Sequence, residues 1–393
     1  MTSTEPGATR RVVLLALVLV AVNLRTPLTS LPAVVLDIQA TTGWGDIALG
    51  VLTTLPVVTM GVMALLVPAV AARFGRSRTV WLALGILVIA LTLRWAGAIP
   101  GVLHVSVVIA GIGIALAAGL VPGIVRAQLH GSIGTATGLW TAAMFLGAGA
   151  AAAFTVPLAS ATGSWQAALA LWAIPAALAF IAWGVIERPL TQPPERTRQL
   201  GLIQLPWRQA GAWWLTSYMA INSLVFYTAV AWIAPSLEER GFTPQASGWL
   251  LGLFTSAQIA GALVLPPLAA RIPWRRTLIV ITALVTAVCL VLTGFDPAFL
   301  TAGVIFLIGM ANGGGFAISL SMLSEFAADP AASARLTAMA FSVTYVVAAI
   351  GPVVAGTLLE AGGTWPTVYA IIAVVAVVQL VPIIGLRRGT VIN

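Results

Sequence analysis

The chain has no lysine: all 19 of its basic residues are arginine. Charge of either sign is scarce, at 8% of 393 residues, and only 11 residues are acidic. The net charge of +8 does not denote a nucleic-acid partner. The arginines sit in short clusters between apolar runs, and a basic stripe interleaved with aromatics on one face is missing. Cys289 is the only cysteine and lies inside an apolar run, which excludes a disulfide or metal framework. The 2 histidines, His104 and His130, fall near the ends of apolar runs. They read as interfacial, and neither is placed to relay protons across the core. No Walker loop, zinc-ligand spacing or nucleophile–base set occurs, so ATP hydrolysis, catalysis, a metal and a cofactor are all unexpected.

What is present is apolar sequence: 60% of residues are hydrophobic and the mean hydropathy is +1.04. No soluble domain hides that much apolar surface, so the chain reads as an all-α polytopic membrane protein in a lipid bilayer. Twelve transmembrane helices are predicted, at about 11–38, 46–70, 79–97, 101–126, 133–160, 164–186, 209–236, 244–270, 276–294, 298–324, 333–359 and 365–386. Arg10-Arg11 precedes the first, which is too long for a signal peptide and lacks a small-residue cleavage site, so it reads as an uncleaved span. The long hydrophilic stretch Glu187–Arg208, with Pro189, Pro193 and Pro194, divides the chain. Residues 1–186 form one six-helix half, 187–208 a connector and 209–393 the other half.

Orientation follows from the arginines. With both termini cytoplasmic, most of them lie on the cytoplasmic side, and only Arg94 and Arg240 lie toward the other. The halves repeat. Ala71-Ala72-Arg73 echoes Ala269-Ala270-Arg271, and Gly163-Ser164-Trp165 echoes Gly363-Thr364-Trp365. Two halves in the same orientation are related by an axis along the membrane normal, with a binding site at their interface near the midplane.

Arg25 stands at that depth. From Arg11 it is about fourteen residues, roughly 21 Å of helix at ~1.5 Å per residue. An Arg there costs at least ~2.5 kcal/mol and cannot shed its proton, so it needs an anion, carbonyls or water. Pro27 and Pro32 each remove a backbone donor and disrupt the helix around it. Asn23, Thr26, Thr29 and Ser30 add polar groups. Two readings stand: a ligand-binding cation, or a structural rivet bound to carbonyls of adjacent helices.

In the second half, Asn222, Gln258, Asn312 and Tyr345 are assigned to the depth of Arg25, with Tyr227 a turn and a half above Asn222. Unpartnered polar groups in hydrocarbon cost several kcal/mol each. Such groups at one depth are expected to share a hydrated cavity; ordinary interhelical hydrogen bonding is the alternative. Trp140 and Met144 share a face of span 5, as cavity wall or packing. Gly111, Gly113, Gly119 and Gly313-Gly314-Gly315 permit close helix approach. Pro56, Pro122, Pro157 and Pro352 are candidate kinks. No carboxylate lies in the core of any predicted span, which disfavours a buried-carboxylate proton symporter and an organic-cation pump.

Twelve spans as six plus six, with an arginine-rich loop between spans 2 and 3, resemble the major facilitator superfamily. Asn23-Leu24-Arg25-Thr26-Pro27, Tyr227 with Ala231-Trp232-Ile233-Ala234-Pro235, and Tyr345 through Gly351-Pro352 resemble segments of its cyanate/nitroimidazole transporter family. Arg73, Gly75 and Arg76 match the superfamily's gating loop, but Pro68 and Ala72 replace its first Gly and its Asp. That departure puts the loop's usual charge contact in doubt.

The resemblance implies a secondary carrier working by alternating access on a small anionic or polar substrate in the cell's inner (plasma) membrane. The expected substrate-binding residues are Arg25, Asn23, Thr29, Asn222, Tyr227, Gln258, Asn312 and Tyr345. A monomer is expected. The rival reading is a multidrug-type exporter of neutral compounds in which Arg25 is structural. A receptor would need a signalling domain or tail, and a lipid-modifying enzyme would need catalytic groups.

Overall fold

The computed structural model describes residues 6–128, 133–190, 205–271, 275–295, 300–328, 330–385 and 391–392. Among them are 12 helices long and apolar enough to cross a membrane. In hydrocarbon only a helix or a closed barrel satisfies every backbone polar group, and these sequences carry the longer apolar runs of helices.

Span 1 consists of Pro6–Thr29, a tight turn at Pro32–Val34 and Val35–Thr42. Span 2 is Asp46–Ala64, followed by Val67–Phe74, and spans 3, 4 and 5 are Arg76–Leu93, Val102–Gln128 and Ile133–Thr162. Span 6 is Trp165–Leu171 with Ala173–Leu190, so its helix continues four residues into the expected connector, most of which lies outside the described residues. Spans 7 to 10 are Ala210–Glu239, Pro244–Arg271, Arg275–Phe295 and Thr301–Glu325. Span 11 is Pro330–Ala348 with Ile350–Glu360, and span 12 is Trp365–Val378 with Leu380–Gly385.

The break in span 1 falls where the prolines put it. Pro27 lies inside the helix, and the Asn23 carbonyl it strands accepts instead from the Thr26 hydroxyl at 3.2 Å. Span 11 breaks at Ala349, ahead of Pro352, which cannot donate to the carbonyl four residues back. Spans 2 and 5 run unbroken through Pro56 and Pro157. Gly75, at φ 84°, joins Val67–Phe74 to span 3 in a conformation that needs glycine. On either side of it Arg73 and Arg76 are exposed.

Glycine lets the helices pack. An added methyl on Gly147 of span 5 would collide with the Val22 carbonyl of span 1, and one on Gly111 of span 4 would reach the Pro56 carbonyl of span 2 at 2.6 Å. In the later spans, Gly261 of span 8 abuts the Met310 carbonyl and Gly309 of span 10 abuts the Phe254 carbonyl. Gly313 and Gly315 are close-approach points against Gln258 and Asn222. Such contacts replace a hydrophobic driving force, which lipid does not provide.

The first six spans meet the last six along two seams. Span 2 lies on span 11, where the Thr54 hydroxyl donates to the Ala349 carbonyl at 2.9 Å and Ser342 donates to the Gly61 carbonyl at 3.1 Å. Span 5 lies on span 8 through Ala152, Ala153, Gly248 and Gly252. The outermost contacts of both seams lie on the face opposite the chain termini.

Candidate functional site

Arg25 is only 6% exposed, and among the described residues its guanidinium makes no hydrogen bond to backbone. Its guanidinium carbon lies 5.0 Å from the Phe226 ring centre, 5.9 Å from Phe145 and 6.0 Å from Tyr227. Tyr227 meets Tyr345 edge-to-face at 6.4 Å, and Phe254 stacks on Phe226 at 6.0 Å. Rings from spans 5 and 7 therefore cage the cation of span 1, and Tyr345 of span 11 and Phe254 of span 8 back them. Nη1 of Arg25 is fully enclosed without an acceptor, and the buried Tyr227 hydroxyl has no partner either.

Magnitudes decide what the cage can do. A cation over a desolvated ring gains ~2 kcal/mol. Burying the ion costs several kcal/mol, and each enclosed unpaired donor adds ~1–3 kcal/mol. Three rings offset much of the burial cost but supply no hydrogen-bond acceptor, so Nη1 stays unpaired. A ligand carrying negative charge or a strong acceptor would satisfy Nη1 and the tyrosine hydroxyl together.

The rivet role belongs to another arginine. Arg94, expected as a charge toward the far side of the membrane, is 0% exposed at the end of span 3. Nη2 donates to the Pro27 carbonyl at 2.9 Å, Nη1 to Ser30 Oγ at 3.1 Å and Nε to Ser106 Oγ at 3.3 Å. The reach and direction of a long side chain leave no mark in span counting, so the sequence reading missed it. Arg94 fastens the broken part of span 1 to spans 3 and 4, and Arg25 is left without such partners.

The other candidates divide. Tyr227 joins the cage, and Tyr345 backs it through its contact with Tyr227. Asn222 and Gln258 lie one helical turn from Phe226 and Phe254, on the side nearer the termini. Asn222 Oδ1 and Gln258 Nε2 are buried and unpaired there. Asn312 donates to the Asn222 backbone carbonyl at 3.1 Å, an interhelical bond. Asn23 faces span 6, donating to the carbonyls of Leu19 at 2.7 Å and Pro175 at 3.1 Å. Thr29 spends its hydroxyl on the carbonyls of Arg25 and Ala148, at 3.1 and 2.9 Å. Trp140 is buried in the core and Met144 packs beside it. Phe145 and Phe226, which line the cage, were not singled out; each adjoins a residue that was.

The family model described as Major Facilitator Superfamily matches residues 13–243 and 215–390. The chain belongs to the Major Facilitator Superfamily. It is 29% identical to the 2-nitroimidazole transporter of Escherichia coli K12, over 98% of each protein. It is 28% identical to the cyanate transport protein CynX of the same organism, over 90% of this chain and 91% of that one. Identity to the uncharacterized transporter YycB of Bacillus subtilis is 29%, over 91% and 90%.

Among solved structures, a D-xylose-proton symporter superposes with TM-score 0.75 at 14% identity, covering 94% of this chain and 96% of that one. The nucleoside transporter NupG superposes with TM-score 0.72 at 17% identity, covering 96% and 98%. These likenesses establish the fold. The protein is a multi-pass membrane transporter of the superfamily, acting on a small molecule.

Proposed function

We propose that this transporter is a secondary carrier moving a small anionic or strongly polar solute by alternating access, with Arg25 as its central site. The observation that carries the reading is an enclosed guanidinium with an unpaired Nη1 beside an unpaired tyrosine hydroxyl, in a cage built by both sets of six spans. The relatives' names agree in chemistry: cyanate is an anion, and a nitro group presents acceptor oxygens. Residues 1–186 and 209–393 rock as two halves about this site, joined by the connector at 187–208. Both termini are cytoplasmic in the inner (plasma) membrane, and the unit is a monomer.

Uptake of cyanate and of 2-nitroimidazole into proteoliposomes tests the site. Arg25→Ala is expected to abolish transport of whichever solute the wild type carries. Arg25→Lys is expected to leave it more than tenfold impaired, since an ammonium does not reproduce the planar fork. The aromatic walls favour a second reading, export of neutral flat compounds. Undiminished transport by Arg25→Ala would select it.

A further inference from the structure

The N-terminus of span 2 lacks a capping side chain of its own, because the cap position is Gly45. The first amides of a helix need acceptors, and a side-chain oxygen normally meets the amide two or three residues inside the cap. Here the acceptor comes from the other half. The Ile47 amide donates to Oε1 of Glu360, the last residue of span 11, at 2.6 Å. Gly45 admits that carboxylate: a methyl there would collide with Glu360 Oε1. Asp46, next in the chain, is engaged by Gln39 at 3.3 Å. The helix dipole adds attraction for the negative charge.

This contact sits at the end of the span 2–span 11 seam that faces away from the termini. Below it Gly356 abuts the Asp46 carbonyl, and Gly50 abuts Pro352. Opening the molecule on that face must separate these spans, and the cap then loses its acceptor while Glu360 loses its donor. We propose that Glu360 is a gating residue of the transport cycle, a latch by which the last six spans cap span 2 and hold that face closed. The latch acts whatever the solute and does not involve Arg25.

Spin labels on cysteines replacing Ala161 and Gln245, in a Cys289→Ala background, report on the test. Both positions are exposed at the same face, one on span 5 and one on span 8, away from the latch itself. Double electron–electron resonance distances are compared for the full-length protein in lipid and its Glu360→Ala variant. The expected result is a roughly fivefold higher ratio of long to short distances in Glu360→Ala, the equivalent of a ~1 kcal/mol helix cap. Gly45→Ala gives a second route. Its backbone, at φ −76° and ψ 171°, suits alanine, so the substitution displaces the carboxylate without straining the chain. It is expected to shift the ratio in the same direction. Unchanged distance ratios in both variants would overturn the latch.

Discussion

Two arginines buried in the first six spans have opposite fates, and the difference lies in their partners. Arg94 finds three oxygens, two of them on the disrupted stretch of span 1, and satisfies both the cation and the backbone. Arg25 finds rings. Replacing Arg94 with Met is expected to strand the Pro27 carbonyl and lower stability by about 1–3 kcal/mol, the cost of a buried unsatisfied acceptor. Thermal unfolding followed by tryptophan fluorescence measures it. Arg94→Lys should lie between, because one ammonium does not span three separated acceptors. The sequence made Arg25 conspicuous, since apolar residues and prolines surround it. It left Arg94 looking like a flanking charge, because depth along a helix says nothing of which way the side chain turns.

At the scale of elements, small residues set how closely helices approach. Span 8 on span 10 is the clearest instance: Gly261 faces the Met310 carbonyl, while Gly303 on the same span 10 has nothing within 4 Å of an added methyl. Gly261→Ala is expected to cost about 1–3 kcal/mol by overpacking. Gly303→Ala should cost nothing, since alanine is the better helix former. Melting temperatures of the two variants in one detergent compare them directly. The breaks in spans 1 and 11 were legible, because proline removes a donor wherever it sits. The unbroken passage of spans 2 and 5 through Pro56 and Pro157 was not, because neighbouring helices decide whether a missing bond becomes a bend.

For the whole molecule, the even number of spans among the described residues puts both ends of the chain on one side, and we propose from the arginine distribution that this side is the cytoplasm. A green fluorescent protein fused after Asn393 is therefore expected to fluoresce, and an alkaline phosphatase fused there to be inactive. The reverse pair would invert the topology. On the face opposite the termini, the two sets of spans are held by small-residue seams and by the cap from Glu360 to Ile47. Neither feature has a periodic signature, because the residues that meet are far apart in the chain: 313 positions for Ile47 and Glu360, and a helix in the other half of the chain for the glycines of the span 5–span 8 seam.

Composition and apolar run length alone determined that the chain crosses a bilayer twelve times as helices, because hydrocarbon leaves the backbone no other way to satisfy its polar groups. They also determined that a cation is committed to mid-membrane depth. Tertiary structure decided which arginine is free. Phe145 and Phe226 closed around Arg25, and Asn312 turned to the backbone carbonyl of Asn222. Hydrogen bonds and ring contacts form between elements distant in the chain, and a single helix's pattern does not encode its neighbours' rotation.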